Sequence, residues 1–225
     1  MALRPQGFGV DFIQDRSRLI AKLQVVLGGS HVLQAMSQVP RELFVPDSVR
    51  HMAYDDRPLP IGIGQTISQP YIVGLMSSSL SLKGDEKVLE VGTGTGYQAA
   101  VLSLLCRCVV SVERLEALAL DAGKRLTELG YSNVEVQVAG KSLGWPPQAP
   151  YDAILVAAAA PHLPHELVHQ LAPGGRMVVP VGSRDEQELL RVIKRETGTA
   201  AVETLGVCRF VPLVGDGAWR EEDGL

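Results

Sequence analysis

The stretch Leu89-Glu90-Val91-Gly92-Thr93-Gly94-Thr95-Gly96-Tyr97 decides the fold. A short apolar run over residues 88–91 leads into three alternating glycines, and a helical pattern over residues 97–105 follows. A strand that turns through glycine into a helix is the usual first unit of a nucleotide-binding parallel sheet. We therefore expect a ligand at the carboxyl end of this strand.

The spacing of the glycines indicates which class of ligand the turn binds. A dinucleotide-binding turn has the pattern Gly-x-Gly-x-x-Gly, whereas Gly92, Gly94 and Gly96 alternate here and Tyr97 stands at the third glycine's place. The second strand ends at Glu113, and an acid there can accept hydrogen bonds from both ribose hydroxyls. The turn and the acid together favour an adenosyl cofactor without a pyrophosphate. The alternative is a purely structural turn beside a solvated acid.

Strands and helices alternate from residue 87 onward. This alternation predicts an α/β fold with a doubly wound, mostly parallel sheet and helices on both faces. The predicted elements after the glycine turn are a strand at 109–112, a helix at 116–129, strands at 134–138 and 154–156, a helix from about 164, a strand at 177–181 and two strands within 187–212.

An N-terminal helical extension precedes the sheet. The apolar spacing predicts helices at residues 10–27, 32–39 and 71–80, with Ser30 as the cap of the second. Residues 55–70 are rich in proline and glycine and predict a long irregular connection, a kind of loop that is often functional.

These patterns predict one domain over residues 1–225. Residues 1–82 hold the N-terminal helices and a substrate loop, and residues 83–225 hold the cofactor-binding sheet.

Composition limits the partners. The 225 residues include 46% hydrophobic and 20% charged residues with a net charge of −4, which excludes a disordered chain. We see no concentrated basic patch, so we expect no nucleic-acid partner.

No run reaches the roughly 20 apolar residues that span a bilayer, and the N-terminal residues Met-Ala-Leu-Arg-Pro do not have the pattern of a signal peptide. Three cysteines, an odd and sparse set, favour a reducing compartment, so we expect a cytoplasmic protein without a membrane partner.

Neither the cysteines nor the histidines predict a metal site. Cys106 and Cys108 lie two residues apart with no further ligand cluster beside them, and small strand residues explain them better. His162, His165 and His169 lie near one helical face but lack a fourth clustered donor, which favours a surface helix.

The segment before the sheet carries a resemblance to a known family. Residues 53–76 read Ala-Tyr-Asp-Asp-Arg-Pro-Leu-Pro-Ile-Gly-Ile-Gly-Gln-Thr-Ile-Ser-Gln-Pro-Tyr-Ile-Val-Gly-Leu-Met, and residues 39–46 read Val-Pro-Arg-Glu-Leu-Phe-Val-Pro. Both stretches closely resemble the protein-L-isoaspartate O-methyltransferase family, for which residues 65–70 are highly specific. The resemblance continues to residue 213 and covers nearly the whole chain. The glycine turn is shared by methyltransferases generally.

The resemblance implies a Rossmann-like class I methyltransferase that uses S-adenosyl-L-methionine. The implied acceptor is the α-carboxylate of L-isoaspartyl residues in damaged proteins or peptides, and the methyl ester then closes to a succinimide as a first step of repair. Such a carboxylate is already ionised at pH 7, so no general base is required. Asp55 and Asp56 are therefore read as surface acids rather than an acid–base pair, with Arg57 neutralising one of them.

The resemblance also implies site residues. Ser68 matches the residue that the family assigns an active-site role, and Thr66 and Ser68 offer hydroxyl donors for a carboxylate. The alternative for Ser68 is a cap of the helix that contains Pro70. The predicted cofactor-binding residues are Thr66, Glu90, Gly92, Thr93, Gly94, Gly96, Glu113 and Gly140.

One stretch departs from the family. Members usually have Gly-Asp-Gly where this chain has Ala139-Gly140-Lys141, and that aspartate contacts the adenine amino group. We expect weaker cofactor binding as a result. Three hypotheses follow: an active isoaspartyl methyltransferase, a methyltransferase of the same fold for another carboxylate, and a binder of damaged peptides without turnover. The specific block at residues 65–70 favours the first hypothesis.

Overall fold

The computed structural model describes residues 11–220. The predicted start of the first helix at residue 10 lies outside this range, and so do residues 1–5, which were assessed as a signal peptide. Its helices are α1 (Phe12–Leu27), α2 (His31–Gln38), α3 (Pro70–Ser79), α4 (Tyr97–Ser103), α5 (Glu116–Glu128) and α6 (His165–Gln170). Its strands are β1 (Leu59–Gly62), β2 (Gln65–Ile67), β3 (Lys87–Val91), β4 (Cys108–Glu113), β5 (Val134–Val138), β6 (Tyr151–Val156), β7 (Leu171–Gly182), β8 (Gln187–Lys194) and β9 (Ala200–Cys208).

The main sheet has seven strands in the order β5-β4-β3-β6-β7-β8-β9. Strands β3 to β7 pair in parallel, and β8 and β9 add an antiparallel edge. The chain runs outward from β3 to β5 and then returns to the other side of β3 with β6. Such a reversal of strand order opens a crevice at the carboxyl ends of the strands. The predicted doubly wound, mostly parallel fold is confirmed.

The predicted helices and strands of the sheet are confirmed within a few residues at their ends. Strand β5 has the predicted bounds, whereas β6 and β7 begin three and six residues earlier than predicted. Ser30 accepts a hydrogen bond from the amide of Leu33, so its capping role is confirmed.

The prediction of an irregular connection over residues 55–70 is wrong for residues 59–67. Strands β1 and β2 form an antiparallel hairpin there, with Leu59 paired to Ile67 and Pro60 to Thr66. Leu59 and Ile61 are buried and alternate with exposed neighbours, which is the period of a strand. The proline and glycine content hid this alternation, because proline is accepted in the edge strand of a small sheet.

The N-terminal helices share a hydrophobic core with one face of the main sheet. Leu23 of α1 and Met36 of α2 belong to the same buried cluster as Leu102 of α4 and Val109 of β4. Packing is so close that a Cβ added at Gly74 of α3 would lie 2.6 Å from Leu27 Cδ1. The shared core supports the proposal of a single domain, and the boundary after residue 82 stays a prediction.

Three further observations concern the described residues. Cys106, Cys108 and Cys208 are free thiols. Within residues 11–220, no three His, Cys, Asp or Glu side chains come together where a metal ion would be held. No helix in the same range combines the length and the apolar character needed to cross a membrane.

Candidate active site

A cleft opens at the carboxyl ends of β3, β4 and β6, where the strand order reverses. It contains about 1110 Å³ of space, its open mouth included. Its lining includes residues of the glycine turn, the end of β4 and residues 65–68.

The glycine turn after β3 forms one wall of the cleft. Gly92 and Gly94 have φ angles of 98° and 54°, which side chains rarely adopt. The amide of Gly92 donates to Val112 O of β4 at 2.8 Å, which fixes the turn to the sheet. A Cβ at Gly92 would lie 3.4 Å from Ala157 Cβ, and one at Gly94 would lie 3.4 Å from Ile61 Cδ1. The turn thus presents bare backbone to the cleft.

Glu113 at the end of β4 is tied to the same turn. Its Oε2 accepts a hydrogen bond from the amide of Gly94 at 2.9 Å, and its Oε1 accepts one from the amide of Leu115 at 3.0 Å. Only 8% of the residue is exposed, yet it lines the cleft. A carboxylate has about four acceptor sites, so each oxygen keeps a lone pair for a donor on a ligand.

Glu90 lies behind the wall rather than in it. The residue is fully buried and does not line the cleft. Its Oε2 accepts a hydrogen bond from Ser111 Oγ, which lies 2.6 Å from Thr93 Oγ1, and its Oε1 has no partner among residues 11–220. Burial raises the pKa of Glu90 to about 8 against the opposing effect of the Ser111 hydrogen bond. Glu90 is therefore mostly neutral at pH 7, and it supports the cleft residue Thr93 through Ser111.

Gly96 also lies outside the lining of the cleft. It precedes α4 with a φ angle of 92°, and a Cβ there would lie 3.1 Å from Leu126 Cδ1 of α5. The absence of a side chain lets the start of α4 pack against α5. The structure thus brings Gly92, Thr93, Gly94 and Glu113 together in the cleft and places Glu90 and Gly96 behind them.

A second part of the lining comes from residues 65–68, which belong to the stretch 65–70, here called the acceptor segment. Thr66 and Ser68 line the cleft, and Ile61 of β1 lies 3.4 Å from a Cβ built on Gly94. The alternative prediction that Ser68 caps α3 is wrong. The N-cap of α3 is Gln69, which makes no side-chain capping bond.

Asp56 takes the place that was expected of Ser68. Its Oδ1 accepts a hydrogen bond from the amide of Tyr71 at 2.8 Å, in the first turn of α3, and its carbonyl accepts one from Gln69 Nε2 at 3.1 Å. Arg57 forms an ion pair with Asp55 at 3.0 Å, as predicted. Both aspartates are exposed and neither is among the described residues that line the cleft, which agrees with the interpretation of both as surface acids.

The third part of the cleft holds the departure from the family pattern. Ala139, Gly140 and Ser142 line it after β5. Gly140 is exposed, and no atom lies within 4 Å of a Cβ built on it. The carbonyl of Lys141 accepts a hydrogen bond from the amide of Asp216 at 3.0 Å, which ties this turn to the C-terminal segment.

Sequence reasoning missed several cleft residues. Residues 211–214 complete the lining, and Ile61 reaches it from the hairpin. The backbone of residue 159 binds this C-terminal segment at Val211 and Leu213, which no local pattern reveals. Arg41, which donates a hydrogen bond to the acceptor segment at Ser68 O, stands in the quoted stretch 39–46, but nothing in that stretch indicated its target.

Comparison with known proteins of similar sequence and structure identifies the family of this chain. The family model for protein-L-isoaspartate(D-aspartate) O-methyltransferase matches residues 14–218. A Syntrophobacter fumaroxidans protein-L-isoaspartate O-methyltransferase 1 is 52% identical over 94% of this chain and 99% of its own length. A Methanoculleus marisnigri protein-L-isoaspartate O-methyltransferase is 50% identical over 87% of this chain and 89% of its own.

Two solved structures share the fold. One, a protein-L-isoaspartate O-methyltransferase, has a TM-score of 0.80 and 29% identity, and it covers 90% of this chain and 67% of that one. A Plasmodium falciparum structure of the same description, in complex with S-adenosyl-L-homocysteine, has a TM-score of 0.74 and 23% identity over 87% of this chain and 96% of its own. The expectation drawn from the glycine turn and residues 65–70 is confirmed: the chain belongs to the protein-L-isoaspartate(D-aspartate) O-methyltransferase family.

Proposed function

We propose that this protein transfers a methyl group from S-adenosyl-L-methionine to the α-carboxylate of L-isoaspartyl residues in damaged proteins or peptides, which initiates their repair. The observation that carries the proposal is a single cleft lined by the glycine turn, Glu113, Thr66 and Ser68. A methyl donor and a carboxylate acceptor have to meet in one such cleft.

The residues of the cleft fit the cofactor. Glu113 has free acceptor sites for the two ribose hydroxyls, and the bare backbone at Gly92 and Gly94 leaves room for the methionine portion. Val112 and Leu143 offer apolar surface to a purine. When bound, S-adenosyl-L-methionine supplies an electrophilic methyl group on a positively charged sulfur.

The proposed cofactor-binding residues fall into two groups. Thr66, Gly92, Thr93, Gly94, Glu113 and Gly140 line the cleft. Glu90 and Gly96 act from behind it, through the Ser111 contact and the packing of α4 respectively. We propose Ser68 as the residue that orients the acceptor.

The chemistry asks the protein for position rather than for a base. An ionised carboxylate carries its own lone pair, so no proton has to leave the acceptor. The hydroxyls of Thr66 and Ser68 can donate to that carboxylate and fix its direction. The packing of Ile61 toward Gly94 helps to exclude water from the reacting groups. In-line positioning of this kind supplies most of the rate enhancement in such a transfer.

The departure at Gly140 and Lys141 favours a second candidate function. Without an acid at position 140 the adenine amino group loses an acceptor, which is compatible with a protein that recognises damaged peptides without turnover. A cytoplasmic location without nucleic-acid or membrane partners belongs to the proposal as well. The free thiols and the net charge of −4 support it.

The test uses the full chain, tritium-labelled S-adenosyl-L-methionine and two peptides that differ only in an isoaspartyl or aspartyl linkage. Both peptides carry the same charge, so only the position of the carboxylate separates them. We expect the isoaspartyl peptide to be methylated about a hundredfold faster or more. Equal methylation of both peptides would contradict the repair function. Peptide binding without methyl transfer would establish the second candidate.

A further inference from the structure

We propose that Arg41 is a positioning residue for methyl transfer, whose buried guanidinium holds the main chain of Ser68 in place beside the glycine turn. The inference rests on the proposed function and adds to it a residue that lies outside the cleft. Arg41 begins the short 3₁₀ turn at Arg41–Leu43, and its side chain is fully buried.

The guanidinium joins three separate parts of the chain. Nη2 donates to the carbonyl of Ser68 at 2.8 Å, and Nε donates to the carbonyl of Ala53 at 2.9 Å. Its Cζ lies 4.8 Å from the ring centroid of Tyr97, the first residue of α4. Tyr97 follows the glycine turn directly and lines the cleft. One side chain therefore links the acceptor segment to α4, the helix that follows the glycine turn.

The charge of Arg41 is not neutralised by a nearby acid. Among the described residues no carboxylate forms an ion pair with it, and Nη1 has no hydrogen-bond partner. Burial lowers the pKa of the guanidinium against the opposing effects of Tyr97, Tyr54 and, least of all, Asp56. Arginine nevertheless stays charged in proteins. By contrast, Arg176 is held by a 2.6 Å ion pair with Glu86.

A buried cation without an ion-pair partner lowers stability, and the hydrogen bonds to Ala53 and Ser68 offset part of that cost. Those bonds fix the carbonyl of Ser68 and with it the plane from which the Ser68 hydroxyl projects. Arg41 does not touch the substrate and acts through Ser68. Lysine carries the same charge but lacks the planar fork that serves two carbonyls at once.

The test compares Arg41→Lys with Arg176→Lys. The control changes a fork of the same kind, which binds Leu80 O and Ser81 O away from the cleft. We expect Arg41→Lys to lower kcat on the isoaspartyl peptide about ten- to hundredfold while the Kd for S-adenosyl-L-methionine, from calorimetry, stays within about twofold. Arg176→Lys should lower the melting temperature without lowering kcat. An unchanged kcat in folded Arg41→Lys would overturn the proposal.

A double-mutant cycle with Ser68→Ala separates positioning from a general loss of structure. If Arg41 acts through Ser68, Arg41→Lys should lower kcat no further in the Ser68→Ala background. If the loss of kcat in the double variant equals the product of the losses in the two single variants, the proposal is overturned. Arg41→Gln, which keeps an amide donor without the charge, carries the same expectations if lysine prevents folding. Failure of the wild type to methylate the peptide would instead refute the proposed function itself.

Discussion

The two walls of the cleft are held in different ways. The donor wall, formed by residues 92–94 and Glu113, is fixed by its own backbone and by the adjacent strand: Gly92 bonds to Val112 O, and Gly94 bonds to Glu113. The acceptor segment is fixed by side chains from distant stretches. Arg41 holds the carbonyl of Ser68, and Asp56 holds the amide of Tyr71 just beyond it.

Because the two walls are held differently, we expect substitutions in one to change cofactor affinity and substitutions in the other to change turnover. The donor wall is bare backbone in left-handed conformations, so a side chain added there should act on cofactor affinity. The acceptor segment carries hydroxyls whose direction depends on a few long-range hydrogen bonds. Changes there should act on turnover, because small displacements of reacting groups reduce rates strongly.

The largest effect is expected from Gly94→Val on the donor wall. The φ angle of 54° is unfavourable for a β-branched residue, and the new Cβ would lie 3.4 Å from Ile61 Cδ1 inside the cleft. Calorimetry should show S-adenosyl-L-methionine affinity reduced about a hundredfold or more. Gly198→Val is the matched control, since Gly198 also has a positive φ angle, 82°, but lies between β8 and β9. Equal affinity in the two folded variants would contradict the placement of the cofactor.

A pH-dependent effect on stability is expected behind the donor wall. The pKa of Glu90 is raised by burial from 4.5 to about 8, so the folded protein binds a proton that the unfolded chain releases. Stability that Glu90 contributes is therefore fully present below about pH 4.5 and is lost as the pH rises to about 8. Glu90→Gln should remove this loss, which is on the order of 4 kcal/mol.

Urea denaturation of both proteins at pH 5 and pH 8 measures this effect, with Glu116→Gln at an exposed position as the control. The advantage of Glu90→Gln over the wild type should grow between the two pH values. Parallel pH dependences of the two proteins would mean that Glu90 is ionised in the fold.

A smaller effect is expected at the adenine end of the cleft. Gly140→Asp combined with Lys141→Gly restores the acid of the family pattern, and the space around Gly140 admits a side chain. One recovered hydrogen bond should tighten cofactor binding about three- to tenfold. Gly29→Asp adds an acid of the same kind between α1 and α2, with one unit of charge change instead of two, and should leave affinity unchanged. Weaker binding in the folded double variant would show that this chain contacts adenine by another route.

The two walls also differ in how far the sequence predicts them. The donor wall is local: a strand, a glycine turn and an acid at the end of the next strand predict Gly92, Gly94 and Glu113 without a structure. The same pattern cannot tell that Glu90 and Gly96 point away from the cleft, because their environment is set by Ser111 and Leu126.

The acceptor wall is assembled from distant parts of the chain. Family resemblance indicated Ser68, but its support by Arg41 and the capping role of Asp56 depend on side chains outside any repeating strand, turn and helix pattern. The hairpin of β1 and β2 stayed hidden because its prolines and glycines are typical of irregular loops. The periodicity of apolar residues predicts helices and strands, but it does not predict which side chains from other parts of the sequence will contact them.

The kinetic behaviour of Ser68→Ala tests most directly whether the two walls do separate work. The variant keeps the backbone bonds of both walls and removes one hydroxyl from the acceptor segment, with Ser79→Ala on α3 as the control. We predict that kcat on the isoaspartyl peptide falls about tenfold or more while the Kd for S-adenosyl-L-methionine stays within about twofold. An unchanged kcat, or a loss of cofactor affinity as large as the loss of kcat, would contradict the account.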